Sequence, residues 1–292
     1  MAGLQDIRRR IRSVKNTQQV TKAMKMISAV KLRKSKERLL ALRPYSNKMS
    51  EIVRSVVARF QDDPATVQSP IAQAFLAPRP ELRIRLVVVA SDKGLCGGFN
   101  ANVLKQATQF VHGSEGELAH LDVVGKRAAE WAKKNGYTVD QEFLGVSLPN
   151  LAHVAEQIST QAAEQYERGE IDALYVIYNY FASALTQIPM VQRVFPMELD
   201  VPDTPAPAGV PYLLEPSPTQ VLSALLPRFI ETTFLHTLLE SSASEHGARM
   251  AAMDKASTNA EDMIARLTLH MNKIRQASIT NQIIEIVSGA NA

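Results

Sequence analysis

The stretch 4-LQDIRRRIRSVKNTQQVTKAMKMISAVKLRKS-35 decides the fold. Its apolar residues Leu4, Ile7, Ile11 and Val14 recur at intervals of three and four, and the pattern is expected to continue through Val20, Met24, Ile27 and Val30. A sustained repeat of that kind marks a helix whose narrow apolar seam faces another helix. No glycine occurs between Gly3 and Gly94, and the first proline is Pro44. Pro44 removes one backbone donor and crowds the preceding turn, so a kink is expected there. Otherwise residues 3–60 read as one helix, about 85 Å long at 1.5 Å per residue. The start is also Arg-rich and acid-poor, as an organelle transit peptide would be, but the pattern runs well past any cleavable presequence.

The other end of the chain mirrors this one. Residues 200-DVPDTPAPAGVPYLLEPSP-218 form a proline-rich tether, too poor in backbone donors for a helix or a central strand. In 217-SPTQ-220, Ser217 suits an N-cap, Pro218 the first helical position and Gln220 the reciprocal cap. From there to Val287 the chain holds one proline, Pro227, expected to bend the helix, and one glycine, Gly247. The run would make about 105 Å of helix, too long for a globular core and suited to a coiled coil. If both helices leave one foot and pair antiparallel with equal rise, residue i lies opposite about 277 − i. Met24 then meets Met253, and the last fifteen or so residues overhang. The overhang carries Ile279, Ile283, Ile284, Ile286 and Val287. That is more exposed apolar surface than a lone tip leaves in water, so a sleeve formed by other subunits is expected around it.

Between the two ends, strand-like runs at 82–90, 120–124, 173–181 and 186–196 alternate with helix-like runs near 100–112, 125–135 and 150–168. Alternation of this kind implies an α/β layer with a largely parallel sheet, and the short turn near Ser183 adds an antiparallel pair. The expected organisation is a first helix over 1–60, a linker over 61–81, an α/β domain over 82–199, a Pro-rich linker over 200–216 and a second helix over 217–292. Within the domain, 91-SDKGLCGGFNAN-102 joins a strand to a helix, where a phosphate-binding loop would sit. The lysine and hydroxyl of a P-loop are missing after Gly98, and Gly94, Gly97 and Gly98 have the wrong spacing for a dinucleotide fingerprint. The loop is expected to be a structural crossover, with Asp92 or Asn100 capping nearby amides.

Composition narrows the remaining choices. The 292 residues are 46% hydrophobic, and no run of about 18 apolar residues is present to span a membrane. Cys96 is the only cysteine, so no internal disulfide forms and a reducing compartment is expected. The six histidines are scattered, which argues against a metal site, and no cofactor is expected. The net charge of +4 hides an asymmetry. Residues 1–60 hold sixteen Lys/Arg against three Asp/Glu, so the rest of the chain is acidic. A basic block of that kind faces nucleic acid, anionic lipid or an acidic protein surface, or is simply a solvated helix face.

Three segments together carry a resemblance. IRRRIRSVKNTQQVTKAMKMISAVKLRKS, SDKGLCGGFN and ARMAAMDKASTNAEDMIARLTLHMNKIRQASITNQIIEIVSGA are similar to the gamma subunits of bacterial F-type ATP synthases, and they span the chain. The resemblance implies an antiparallel, left-handed coiled coil of the two terminal helices with a central Rossmann-like α/β domain at its foot. It implies a rotary shaft with no active site, turning inside a hexamer of alpha and beta subunits. Such a shaft carries torque from a membrane c-ring driven by proton or sodium flow, with the epsilon subunit as a further partner. Its place is peripheral, on the cytoplasmic side of the bacterial cell membrane. The family's acidic beta-subunit loop points to Arg8, Arg9, Arg10, Arg33 and Lys34 as contacts. Matching motif positions add Met24, Arg249, Arg275, Gln276 and Thr280 as contact or coupling residues, with Ile283, Ile284, Ile286 and Val287 at the tip. Without the resemblance, Met24 reads as a seam residue and Arg249 as an exposed helix charge. Gly247 departs from the alanine common in the family, and a single thiol excludes the dithiol switch of chloroplast relatives. Two other classes compete: a nucleotide-dependent α/β enzyme using the 91–102 loop, and a basic coiled coil binding nucleic acid without stacking aromatics.

Overall fold

The computed structural model describes residues 4–62, 80–196, 215 and 218–290. Most of both proposed linkers and the Ser217 cap lie outside the described residues. Helix α1 runs from Leu4 to Asp62, and the last helix, α5, from Pro218 to Ala290. At 59 and 73 residues they measure about 90 and 110 Å. Neither is interrupted by its proline. Pro44 and Pro227 are both exposed, so the ring sits on the solvent side and only one ladder bond is forfeited.

The two helices lie side by side and antiparallel. Thr21 Oγ1 and Ser257 Oγ are 2.7 Å apart, Lys25 Nζ donates to Asp254 Oδ1 at 2.6 Å, and Ser35 Oγ meets Ser242 Oγ at 3.0 Å. Those partners' numbers add to 278, 279 and 277, within two residues of the expected register. The seam itself differs from expectation. On α1 the buried or half-buried positions step by four and three through Ile7, Ile11, Val14, Gln18, Thr21, Lys25, Ser28, Leu32, Ser35 and Leu39. Val20, Ile27 and Val30, expected in the seam, are all more than half exposed. Between Val14 and Leu32 the seam is filled by a glutamine, two hydroxyls and a lysine stem, while the apolar Val20, Ile27 and Val30 face outward. The facing residues on α5 keep the same step through Met253, Ser257, Ala260, Ile264, Leu267, Met271 and Ile274.

The chain between these helices folds as a five-stranded sheet. Strand β1 (Arg83–Val89) leads through α2 (Phe99–Gly113) to β2 (Glu117–Val124). Then come α3 (Lys126–Lys134), β3 (Gln141–Phe143), α4 (Leu151–Glu167), β4 (Ala173–Phe181) and β5 (Gln187–Phe195). The order across the sheet is β3-β2-β1-β4-β5, all parallel except β5, which pairs antiparallel with β4. Sequence reading missed β3, whose three residues are too few for a periodic signal. After β1 the chain moves one way across the sheet, and β4 returns to its other side. This places a topological switch point at the carboxyl ends of β1 and β4.

Because β1 is covered on both faces, its second half, Leu86 to Val89, reads as a continuous apolar run behind Arg83 and Arg85. Leu86 and Val88 pack with Val103, Ala107, Ala128 and Trp131 of α2 and α3. Val87 and Val89 join Val154, Ala155 and Ile158 of α4 in a second cluster. That cluster also contains Met49, Val53 and Val56 of α1 and Leu226, Ile230, Phe234 and Leu238 of α5. The base of the helix pair and the α/β domain therefore share one core. A joint held by buried apolar area resists sliding, which a tether of polar linkers would not. The β2–α3 turn is equally fixed. Gly125 has φ 91°, and a Cβ there would stand 2.3 Å from the carbonyl oxygen of Ala90, so only glycine fits.

Candidate functional site

The glycine loop after β1 resolves into a dock for α5. Asn100 Oδ1 accepts the Ser91 amide at 3.0 Å, and Asn100 Nδ2 approaches Cys96 Sγ at 3.1 Å, closing the loop on itself. Asp92 Oδ1 accepts the amides of Lys126 and Gly145, pinning the start of α3. Toward the long helix the loop offers carbonyls rather than amides. Arg249 Nη2 donates to Lys93 O at 2.8 Å and Nε to Gly94 O at 3.3 Å. A phosphate cradle needs amide donors pointing at the ligand. Here two acceptors hold a guanidinium, so the loop is a structural dock at this point.

Arg249 is 7% exposed, which overturns its reading as an exposed helix charge. Its Nη1 also pairs with Glu245 Oε1 at 2.6 Å and lies 3.3 Å from His246 Nδ1. Two residues toward the base, Gly247 faces the β4–β5 connection. A Cβ there would meet Phe181 Cε2 at 3.1 Å and Ala184 Cα at 3.2 Å. The glycine therefore lets the hairpin close on the helix, rather than only softening the rod. Further down, Glu240 Oε2 accepts the Phe181 amide at 2.9 Å. Glu240, Gly247 and Arg249 thus place α5 across the switch-point crevice, where an open α/β sheet would hold a ligand.

The comparisons with known proteins agree over the whole chain. A family model described as ATP synthase matches residues 3–292. The ATP synthase gamma chain of Solibacter usitatus is 45% identical over 292 residues, covering all of this chain and 99% of its own length. That of Pelotomaculum thermopropionicum is 42% identical with the same coverage. The chain belongs to the ATP synthase gamma-chain family. Among solved structures, a chain from the Euglena gracilis mitochondrial ATP synthase superposes with a TM-score of 0.64 at 17% identity, covering 99% of this chain and 94% of that one. A central-stalk chain from Tetrahymena thermophila gives 0.57 at 23% identity, covering 82% and 99%. At those identities the superpositions speak for the fold.

For a gamma chain, the candidate contact residues fall into four groups. Arg8, Arg9, Arg10, Arg33 and Lys34 are exposed on α1, with Arg33 paired to Glu37 one turn on. Met24 is half-buried beside the seam, next to Lys25 and its partner Asp254. Arg275, Gln276 and Thr280 are exposed on α5, and Thr280 returns its hydroxyl to the Gln276 carbonyl. Ile283 and Ile284 are about half exposed and Ile286 71% exposed. Helix α1 ends its reach near Ile274, so these isoleucines stand beyond any partner helix. The side chain of Val287 lies outside the described residues. Arg249 is set apart from these groups, since its donors are already engaged within the chain. Sequence reading missed the exposed stripe Val20, Ile27 and Val30, which stepping the early repeat strictly by four and three would have found. Among the described residues no helix is long and apolar enough to cross a membrane, and no His/Cys/Asp/Glu group could hold a metal ion.

The arginine dock also makes the joint pH-sensitive. Burial, with Arg249 and Lys31 nearby, pushes His246 down to about 4. Glu245 in the same cluster is pushed up by burial, against the pull of Arg249 and Lys31. The unfolded chain binds a proton at His246 below about pH 6.5, the folded chain only near pH 4, so its contribution is lost as pH falls through that window. Glu245 acts in the opposite sense, gaining as pH falls. In His246→Gln, the fall in thermal midpoint between pH 6.5 and 4 should be smaller than in the parent chain. Identical pH profiles would show that the histidine is not buried as described.

Proposed function

We propose that this chain is the central rotating shaft of a bacterial F-type ATP synthase, a non-catalytic subunit that couples ion flow to nucleotide chemistry elsewhere in the complex. Its two long helices form a left-handed coiled coil. The strict alternation of three- and four-residue steps supports this, because a sustained seven-residue repeat on 3.6-residue turns draws helices into a left-handed supercoil. The observation that carries the functional reading is the geometry of the pair. Both helices rise from a core shared with the α/β foot, and α5 outlasts α1 with Ile279, Ile283, Ile284 and Ile286 exposed. A rod rooted in this way turns with its foot, and an apolar tip calls for a bearing.

The partners are the alternating alpha and beta subunits around the upper shaft, with the c-ring and epsilon subunit at the foot. The shaft is peripheral, on the cytoplasmic side of the membrane. Arg8, Arg9, Arg10, Arg33 and Lys34 offer positive charge to an acidic beta surface, and Met24, Arg275, Gln276 and Thr280 line the same reach of shaft. An asymmetric rod touches each of three surrounding catalytic sites differently, so rotation exchanges their affinities through differential contacts. A nucleotide-dependent enzyme is the poorer reading, since the loop it would use presents carbonyls to Arg249.

The test is reconstitution. The isolated chain should neither hydrolyse nor tightly bind ATP, yet should co-purify with alpha and beta subunits and support their ATPase activity. ATP hydrolysis by the chain alone, or failure to associate with both subunits, would overturn the reading.

A further inference from the structure

The α5 dock closes the crevice between β1 and β4 but leaves its neighbour open. Beside it, between the carboxyl ends of β1 and β2 and the helix pair, lies a cavity of about 620 Å³. It is walled by α1, α5, the 92–93 turn and the loop before α4. We propose that this cavity is a binding site for a small phosphate-type polyanion, of the size and charge of pyrophosphate.

Charge is the first argument. Lys31, Lys34 and Arg38 on three successive turns of α1 line the cavity, and Lys93 and Arg249 face them. The only carboxylates in the wall are Asp92 and Glu245. Glu245 is taken by Arg249, and Asp92 accepts the amides of Lys126 and Gly145. Among the described residues no carboxylate stands in salt-bridge contact with Lys31, Lys34 or Lys93. Arg38 spends one nitrogen on the Leu148 carbonyl at 2.6 Å, which fixes its guanidinium at the rim. With the Arg249–Glu245 pair set aside, the wall carries four cations, Lys31, Lys34, Arg38 and Lys93, against one carboxylate, Asp92, whose Oδ1 already accepts two amides.

Donors are the second argument. Ser241 is 4% exposed, lines the cavity and, among the described residues, has no hydrogen-bond partner. Its hydroxyl is not among the fully enclosed unsatisfied atoms, so it opens onto the cavity. His246 is neutral at physiological pH, and Arg249 can only donate to its Nδ1, which leaves the ring proton on Nε2. Cationic ammonium groups, a hydroxyl and an imidazole N–H give the cavity an excess of donors over its two engaged carboxylates, which suits an acceptor-only ligand. Ligands of open α/β sheets sit outside the carboxyl ends of the strands, where this cavity lies. An occupant here would join α1 to the 92–94 turn, clamping the shaft to its foot and relieving repulsion among the lysines.

The experiment uses the full chain and inorganic pyrophosphate, with potassium sulfate at matched ionic strength as the salt control. Pyrophosphate at ten times its dissociation constant, expected in the millimolar range, should raise the thermal midpoint by about 3 °C, and the shift should keep growing with the logarithm of concentration. Lys31→Ala/Lys34→Ala should weaken binding at least tenfold. Both positions are exposed and helical, so alanine keeps the fold. Lys105→Ala/Lys273→Ala, which removes two cations away from the cavity, should bind as the parent does. Orthophosphate should compete more weakly, and ATP no more tightly than pyrophosphate if the phosphate chain alone is recognised. No shift, an equal shift with sulfate, or equal losses in the two double variants would overturn the site.

Discussion

Asp122→Ala is expected to destabilise the foot domain by about 3–5 kcal/mol, the largest loss of stability among single substitutions considered for this chain. Arg85 on β1 and Asp122 on β2 are both fully buried, with Arg85 Nη2 and Nε donating to Asp122 Oδ2 at 2.6 and 2.9 Å. Gln161 accepts the second Nη2 hydrogen and Gln165 one hydrogen of Nη1, both from α4. Burial pushes the Asp122 carboxyl upward while Arg85 holds it back, and one of its oxygens has no partner. The aspartate is therefore worth little for its own hydration balance and much as the counter-charge to Arg85. Removing it strands a guanidinium among apolar side chains with two amides for company. The double variant Arg85→Met/Asp122→Leu removes both charges and should recover to within about 1.5 kcal/mol of the parent. Urea denaturation of the three chains decides the matter. If the single variant loses no more than the double, the pair is not a coupled buried unit.

The contrast between that pair and the helix seam shows what the sequence could disclose. The antiparallel register followed from helix rise and the length of each run alone, and the Thr21–Ser257, Lys25–Asp254 and Ser35–Ser242 bonds keep to it. Those quantities are set by backbone geometry, which composition does not alter. The parallel strands were legible for a similar reason, since the second half of β1 and most of β4 are apolar without alternation. What could not be read was where polarity goes inside. Ser28 and Ser35 are buried while Ile27 and Val30 are exposed, because close helix approach favours small hydroxyls over branched side chains. Following apolar residues alone led the seam onto the wrong face. Arg85, Asp122 and Arg249 are charged residues whose burial depends on partners distant in sequence, and nothing local announces it.

The same dependence on distant partners explains the loop and Gly247. Read in isolation, 91-SDKGLCGGFNAN-102 invites a phosphate, and Gly247 looks like a weak point in a helix. Folded together, the loop's carbonyls hold Arg249 and the glycine admits Phe181 and Ala184. Both features belong to one joint, through which α5 enters the foot. The stiffness of the rod at that level comes from this contact and from the shared core, not from helix propensity. The shared core and the hydrogen bonds of Glu240 and Arg249 both fall where shaft meets foot.

Deleting residues 283–292 should loosen the shaft in its bearing far more than it disturbs the folded foot. The deleted segment contains Ile283, Ile284 and Ile286, all exposed, and lies more than one turn beyond the last seam residue, Ile274. It contributes nothing to the shared core, so the thermal midpoint of the isolated chain should move by less than about 2 °C, the effect of under 1 kcal/mol in a domain of this size. In a sleeve of alpha and beta subunits the same side chains would be buried. Fully burying an isoleucine is worth about 1.5–3 kcal/mol, so three half-exposed ones supply several kcal/mol in sum. Ordering the tip takes back part of this, leaving an expected loss of retention of at least tenfold. Retention of the truncated chain on immobilised alpha–beta hexamer, measured beside its thermal unfolding, separates the two quantities. Melting of the whole chain would mean that the tip folds back onto the foot. Unchanged retention would mean that the bearing grips the shaft below residue 283.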